Sequence, residues 1–113
     1  MGVTTYKKQF GPIALSTNLN TNVYNNASAL IYDVIRQIHV VNKTSGAAWF
    51  SLAIGATGST AAGTEWFFQQ NVNADSTFDW YGAIKLLSTD FLVGGASAGA
   101  TLTIVGTGEQ YVV

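Results

Sequence analysis

Thr77-Phe78-Asp79-Trp80-Tyr81-Gly82-Ala83-Ile84-Lys85-Leu86-Leu87 is the stretch on which the reading of the fold turns. Phe78, Trp80, Gly82, Ile84 and Leu86 alternate with Thr77, Asp79, Tyr81, Ala83 and Lys85. Side chains of a β-strand point to opposite faces in turn, so this pattern predicts a strand with one apolar face and one mixed face. Upstream, residues 47–54 place Phe50, Leu52 and Ile54 on one side, and residues 65–70 alternate Trp66 and Phe68 with Glu65, Phe67 and Gln69. Residues 91–93, 101–105 and 110–113 supply three more short strands. Clusters of Gly, Ser, Thr, Asn and Asp at 42–46, 55–63, 71–76 and 94–100 separate these runs and read as loops. Short strands at this spacing predict an all-β antiparallel sandwich or barrel.

Residues 29–38 admit two readings. Leu30, Ile31, Val34, Ile35 and Ile38 fall at helical spacing behind Ser28, a suitable N-cap. The alternative is a strand at 30–32, a kink near Asp33, and a long strand at 34–42 with Ile38 and Val40 inward. The strand reading is preferred because Val, Ile and Tyr dominate and the surrounding signals are all β. Residues 1–28 differ in character: Tyr6, Phe10, Ile13 and Leu15 precede Asn18, Asn20, Asn22, Asn25 and Asn26. They read as an N-terminal arm with a short strand and an irregular Asn-rich segment, leaving 29–113 as the sandwich domain.

Composition narrows the function. The chain has 113 residues, 48% of them apolar and 10% charged, with no cysteine, one histidine and a net charge of −1. A chain of this length can bury roughly 65% of its surface, enough for one domain. The absence of cysteine excludes disulfides, thiolate zinc sites and a catalytic thiol. A charge this close to zero removes the electrostatic basis for nucleic acid or acidic membrane as the main partner, and Lys7-Lys8 is the one basic pair. These lysines stand where a secretory signal would need an apolar stretch, which argues against such a signal. A free domain normally carries about a quarter charged residues. At 10%, the surface is expected to be covered by neighbours, as in an oligomer or larger assembly.

No set of residues assembles into a catalytic or metal-binding pattern. Gly95-Ala96-Ser97-Ala98-Gly99 fits G-x-S-x-G, the turn that exposes a serine nucleophile in α/β-hydrolases. That fold needs a parallel sheet and an acid and a histidine after the serine, whereas His39 lies upstream, so a flexible loop is expected. His39 has no second histidine or cysteine to share a metal, and Asp75 and Asp79 lack the D-x-D-x-D-G frame of a calcium loop. The expectation is therefore no enzyme, no cofactor and no metal. Among the three tryptophans, Trp80 shares the face of Phe78 and Ile84 and is expected in the core. Trp49 lies opposite Phe50, Leu52 and Ile54, which makes it a candidate for a subunit interface.

From Arg36 to Glu109 the sequence resembles small bacteriophage virion proteins with a jelly-roll-like β-sandwich. The resemblance rests on Arg36-Gln37-Ile38-His39-Val40-Val41-Asn42, the Ser45-Gly46-Ala47-Ala48 hairpin and Ile54-Gly55. It continues through Trp80-Tyr81-Gly82 and Leu86-Leu87 to Asp90-Phe91-Leu92-Val93, and closes with Thr103-Ile104-Val105-Gly106. Thr89 stands before Asp90 where that pattern has Gly. The resemblance implies no catalytic residues. It implies a capsid decoration, or cement, protein that binds the outer shell of a virion assembled in the host cytoplasm. Its partners would be copies of itself, in a trimer, and the major capsid protein. In that setting Tyr6, Phe10, Ile13 and Leu15 of the arm, with Trp49, are the expected contacts to capsid or neighbouring subunits. The alternative is a tail, baseplate or head-fibre module that binds host carbohydrate.

Overall fold

The computed structural model describes residues 5–58, 64–99 and 101–112, with side chains from residue 9 onward. Eight strands follow one another: β1 Thr5–Ala14, β2 Asn22–Tyr24, β3 Ile31–Asn42, β4 Ala48–Gly55, β5 Glu65–Val72, β6 Ser76–Leu86, β7 Phe91–Ala96 and β8 Leu102–Val112. They form two antiparallel sheets, ordered β1-β8-β3-β6 and β2-β7-β4-β5. The chain pairs with itself as a long hairpin would, β4 with β5, β3 with β6, β2 with β7 and β1 with β8. Rolled so that β8 also lies on β3 and β7 on β4, that hairpin becomes a jelly roll.

The core lies between the sheets. Ile35, Ile38, Val40, Ile84, Leu86, Leu102 and Ile104 from one sheet meet Phe50, Leu52, Phe67, Val72 and Leu92 from the other, all buried. Each such side chain contributes about 1.5–3 kcal/mol on leaving water. Phe50, Phe67 and Phe78 form an aromatic triangle with centroids 5.4–5.9 Å apart. Trp80 joins it edge-on to Phe67 at 6.0 Å, half-buried at the margin.

Residues 31–42 form strand, with Ala29 and Leu30 in the turn before it, and none of the stretch is helical. β3 is continuous, and its irregularity lies between Ile35 and Gln37, where the register with both neighbours shifts; a kink at Asp33 was expected. The shift turns Ile35 and Ile38, three residues apart, to the same interior. That bulge is the physical source of the helix-like spacing.

The segment read as an arm belongs to the sandwich. β1 pairs with β8 from Thr5 opposite Gln110 to Ala14 opposite Thr103. Phe10, Leu15 and Val23 lie in the core, and Phe10 stacks on Tyr24 at 5.3 Å. Residues 102–112, expected as two strands, make one. Gly106 and Gly108 stand in it at two points of close approach. A Cβ on Gly106 would sit 2.2 Å from the Phe10 ring, and one on Gly108 would sit 2.0 Å from the Val34 carbonyl oxygen.

Asparagine side chains tie down the segment from 18 to 28. Asn25 Nδ2 donates to the carbonyls of Ser88 and Asp90, both at 2.8 Å. Asn26 Nδ2 and the Tyr24 hydroxyl each donate to Asp33 Oδ2 at 2.8 Å. Asp33 is fully buried, and its Oδ1 has no hydrogen-bond partner among the described residues. Burial, with the Asp33 carboxylate adding to it, pushes the Tyr24 hydroxyl well above the ordinary phenol range, so it stays a donor.

Candidate functional site: two unlike outer faces

Charge is divided unequally between the sheets. The strands of β1-β8-β3-β6 hold Lys7, Lys8, Asp33, Arg36, Asp79, Lys85 and Glu109, whereas those of β2-β7-β4-β5 hold Glu65 alone. The outer face of the first sheet is a polar lattice. Arg36 Nε donates to Glu109 Oε1 at 2.9 Å, and the Tyr111 hydroxyl donates to the same oxygen at 3.1 Å. The Arg36 bond holds the Glu109 carboxyl below its usual range. Tyr111 stacks on Tyr32 at 5.0 Å, and Lys85 Nζ lies 4.6 Å from the Tyr32 ring centre.

His39 and Asp79 are directly opposed on β3 and β6, with Nδ1 and Oδ1 2.5 Å apart. Gln37 Nε2 donates to both Asp79 Oδ1 and the Tyr81 hydroxyl. The His39 bond lowers the Asp79 carboxyl below its ordinary value, with Gln37 assisting against desolvation. A carboxylate lowered in the folded state adds stability above its unfolded pKa, and that stability is lost as pH falls through the folded value. We therefore expect the wild type to lose somewhat under about 1 kcal/mol between neutral pH and pH about 2 that Asp79→Asn does not lose, the pair being exposed. Urea unfolding midpoints at the two pH values check this; parallel curves would contradict it.

The outer face of the second sheet is nearly uncharged. Trp49, Ser51, Ala53 and Val93 alternate outward with inward Phe50, Leu52 and Leu92. Loop 16–21 is fastened at the edge of β7 by Gly94 N–H to Thr21 O and Ala96 N–H to Ser16 O. Its Leu19 helps line a recess of about 100 Å³ with Ser51, Leu52, Ala53, Glu65, Phe68 and Val93. Phe68 beside this recess is 70% exposed. A bulge puts it there, because Phe50 and Leu52 of β4 oppose Gln70 and Phe67 of β5. The extra residue leaves Gln69 at φ 50°, its N–H bonded to Ser51 Oγ at 2.9 Å. Phe67 stays in the core while its neighbour is aimed outward.

Of the other exposed large side chains among the described residues, Trp66 lies in β5 beside Trp80 and Tyr81 in β6 opposite Gln37, while three gather at one end of the charged sheet. Leu30 just before β3, Leu87 just after β6, and Val112 of β8 opposite Ile31 are all exposed there, Leu30 at 71%.

The residues singled out from sequence are scattered. Phe10 and Leu15 are core residues, and Ile13 is partly buried against the core, so none is an exposed anchor. Tyr6 lies opposite Glu109 in β1, and its side chain falls outside the described residues. Trp49 is half-buried on the neutral face, its backbone N–H donating to Ser97 Oγ at 3.0 Å. Ser97 thus follows the end of β7 on one sheet while His39 and Asp79 sit outside the other, and the fold does not bring them together. Phe68 and the His39–Asp79 pair were missed. The first depends on a bulge and the second on a pairing of strands far apart in sequence.

No family model matches the chain, and no curated protein matches it. Among solved structures it is distantly similar to the Tobacco streak virus coat protein dimer, at 9% identity and TM-score 0.47 over 98% of this chain and 85% of that one. A C2 crystal form of the same coat protein gives 9% identity and TM-score 0.47 over 99% and 85%. A chain of infectious bursal disease virus Gx strain gives 7% identity and TM-score 0.40, over 98% of this chain and 31% of that one.

Proposed function

We propose that the chain is a structural protein of a bacteriophage virion, a decoration protein that binds the outer capsid surface as an oligomer and stabilises the shell. The observation that carries this reading is the placement of exposed apolar side chains on a chain only 10% charged. Two placements matter, Phe68 with its recess on the neutral face and Leu30, Leu87 and Val112 gathered at the sandwich end, with Trp66 and Tyr81 exposed apart from them. Isolated exposed hydrophobics need no explanation, but gathered patches mark surfaces that meet other proteins. Two separate patches let one copy meet a neighbouring copy and the shell at once. The function is mechanical and non-catalytic: weak contacts repeated by symmetry add to a strong hold.

The contact assigned to residues 1–28 passes to the sandwich end, because Phe10 and Leu15 are spent in the core. The test is co-sedimentation of the purified protein with empty shells of the major capsid protein from the same genome. Saturable binding that Leu30→Asp weakens about tenfold or more is the expected result. A protein that never leaves the supernatant contradicts the proposal.

A further inference from the structure

We infer that the outer face of β2-β7-β4-β5 is a self-complementary interface at which two copies of this chain pair about a two-fold axis. The Phe68 ring of each copy seats in the apolar recess of the other. The pairing deepens the assembly reading above and rests on it for its setting.

Three observations point to a second copy as the occupant. First, ring and recess belong to the same patch, since Phe68 itself forms one wall of the recess beside Leu19, Ala53 and Val93. A two-fold contact sets the same patch against itself, so each projecting group meets the other copy's hollow. At about 100 Å³ the recess is smaller than the roughly 150 Å³ cavity that takes up a whole benzene molecule, so it admits the edge of a phenyl ring with the rest at its mouth.

Second, the pairing strands of this face carry no charge but Glu65, which lines the recess wall. Closing two such faces removes almost no charge from water, whereas closing the charged faces would strip Arg36, His39, Asp79, Lys85 and Glu109. Third, the area reaches the lower limit for a specific contact: four strands of at most eight residues outline roughly 500 Å² per copy, or about 1,000 Å² for the pair. The half-buried Trp49 of the same face adds an aromatic of the kind enriched in such contacts.

Sedimentation equilibrium over the micromolar range tests the inference. The wild type should reach twice the 12.0 kDa of one chain. Phe68→Asp should weaken pairing about 100-fold and Phe68→Ala about tenfold. The ring is 70% exposed in the single chain, so the melting temperature of the dilute variants should match that of the dilute wild type. If the aspartate variant fails to fold, the alanine variant carries the test. A wild type that stays single, forms a three-fold species, or pairs with an affinity indifferent to both substitutions overturns the inference. The shell experiment is read separately. A pair that ignores shells removes the decoration reading and leaves the pair standing, whereas shell binding by single copies does the reverse.

Discussion

A chain lacking residues 1–15 is expected not to fold. Those residues supply β1, which lies antiparallel along β8 from Thr5 to Ala14, and they insert Phe10 and Leu15 into the core, with Ile13 packed beside them. Two fully buried side chains and one half-buried account for about 4–7 kcal/mol of burial, against a total stability of about 5–15 kcal/mol for a domain of this kind. The deletion would also strip one edge of β8 and uncover Gly106, which has no side chain with which to replace the Phe10 ring lying over it. The expected readout is loss of near-ultraviolet circular dichroism and collapse of amide proton dispersion. A truncated chain with native spectra would mean that 1–15 is a detachable arm after all.

Asp33→Ala carries the second large effect, a loss of about 2–4 kcal/mol. The Tyr24 hydroxyl and Asn26 Nδ2 both end on Asp33 Oδ2, and removing it leaves two donors without their acceptor. Each orphaned donor costs about 1–3 kcal/mol. The total is capped because Asp33 Oδ1 is itself buried without a partner, so deleting the carboxylate also relieves part of its own desolvation cost. Asp33→Asn retains one acceptor oxygen and should lose less than the alanine variant. Equilibrium urea unfolding measures both, and Tyr24→Phe combined with Asp33→Ala should be markedly less than additive, since the two share one bond. An alanine variant within about 0.5 kcal/mol of wild type would show that the asparagine segment is not held through Asp33.

Both predictions concern segments that sequence reading placed outside the sandwich, and the reason is physical. Alternation made β4 and β6 plain, because each keeps its apolar residues on one parity for most of its length. β1 breaks that rule: its register shifts between Lys8 and Phe10 and again between Phe10 and Ile13, around Gly11-Pro12. The inward residues of β1 therefore do not recur at every second position. In β5 two register shifts turn Phe67 inward, whereas simple alternation grouped Phe67 with Glu65 and Gln69. In β8, the Phe10 ring and the Val34 carbonyl occupy the space that side chains at Gly106 and Gly108 would need, a fit between strands distant in sequence that no local pattern encodes.

The candidate site was less legible than the fold. A low charge content indicated a covered surface, but it could not say which surface. The division of charge between two sheets appears only once β1, β3, β6 and β8 are known to lie together. Strands 40 residues apart in sequence bring His39 to Asp79, a separation that no local pattern encodes. Trp49 was read as a contact from its place opposite Phe50 and Leu52, and the structure puts it on the uncharged face beside β7.

Under the proposed function, the neutral face, the apolar sandwich end and the polar lattice are the surfaces of a building block that meets its own copies and a larger protein surface. The most direct test of that claim is quantitative mass spectrometry of purified virions carrying this gene, reading the ratio of this chain to the major capsid protein. The account predicts a ratio that approaches the copy number of the shell. A few copies per particle, or none, would contradict it.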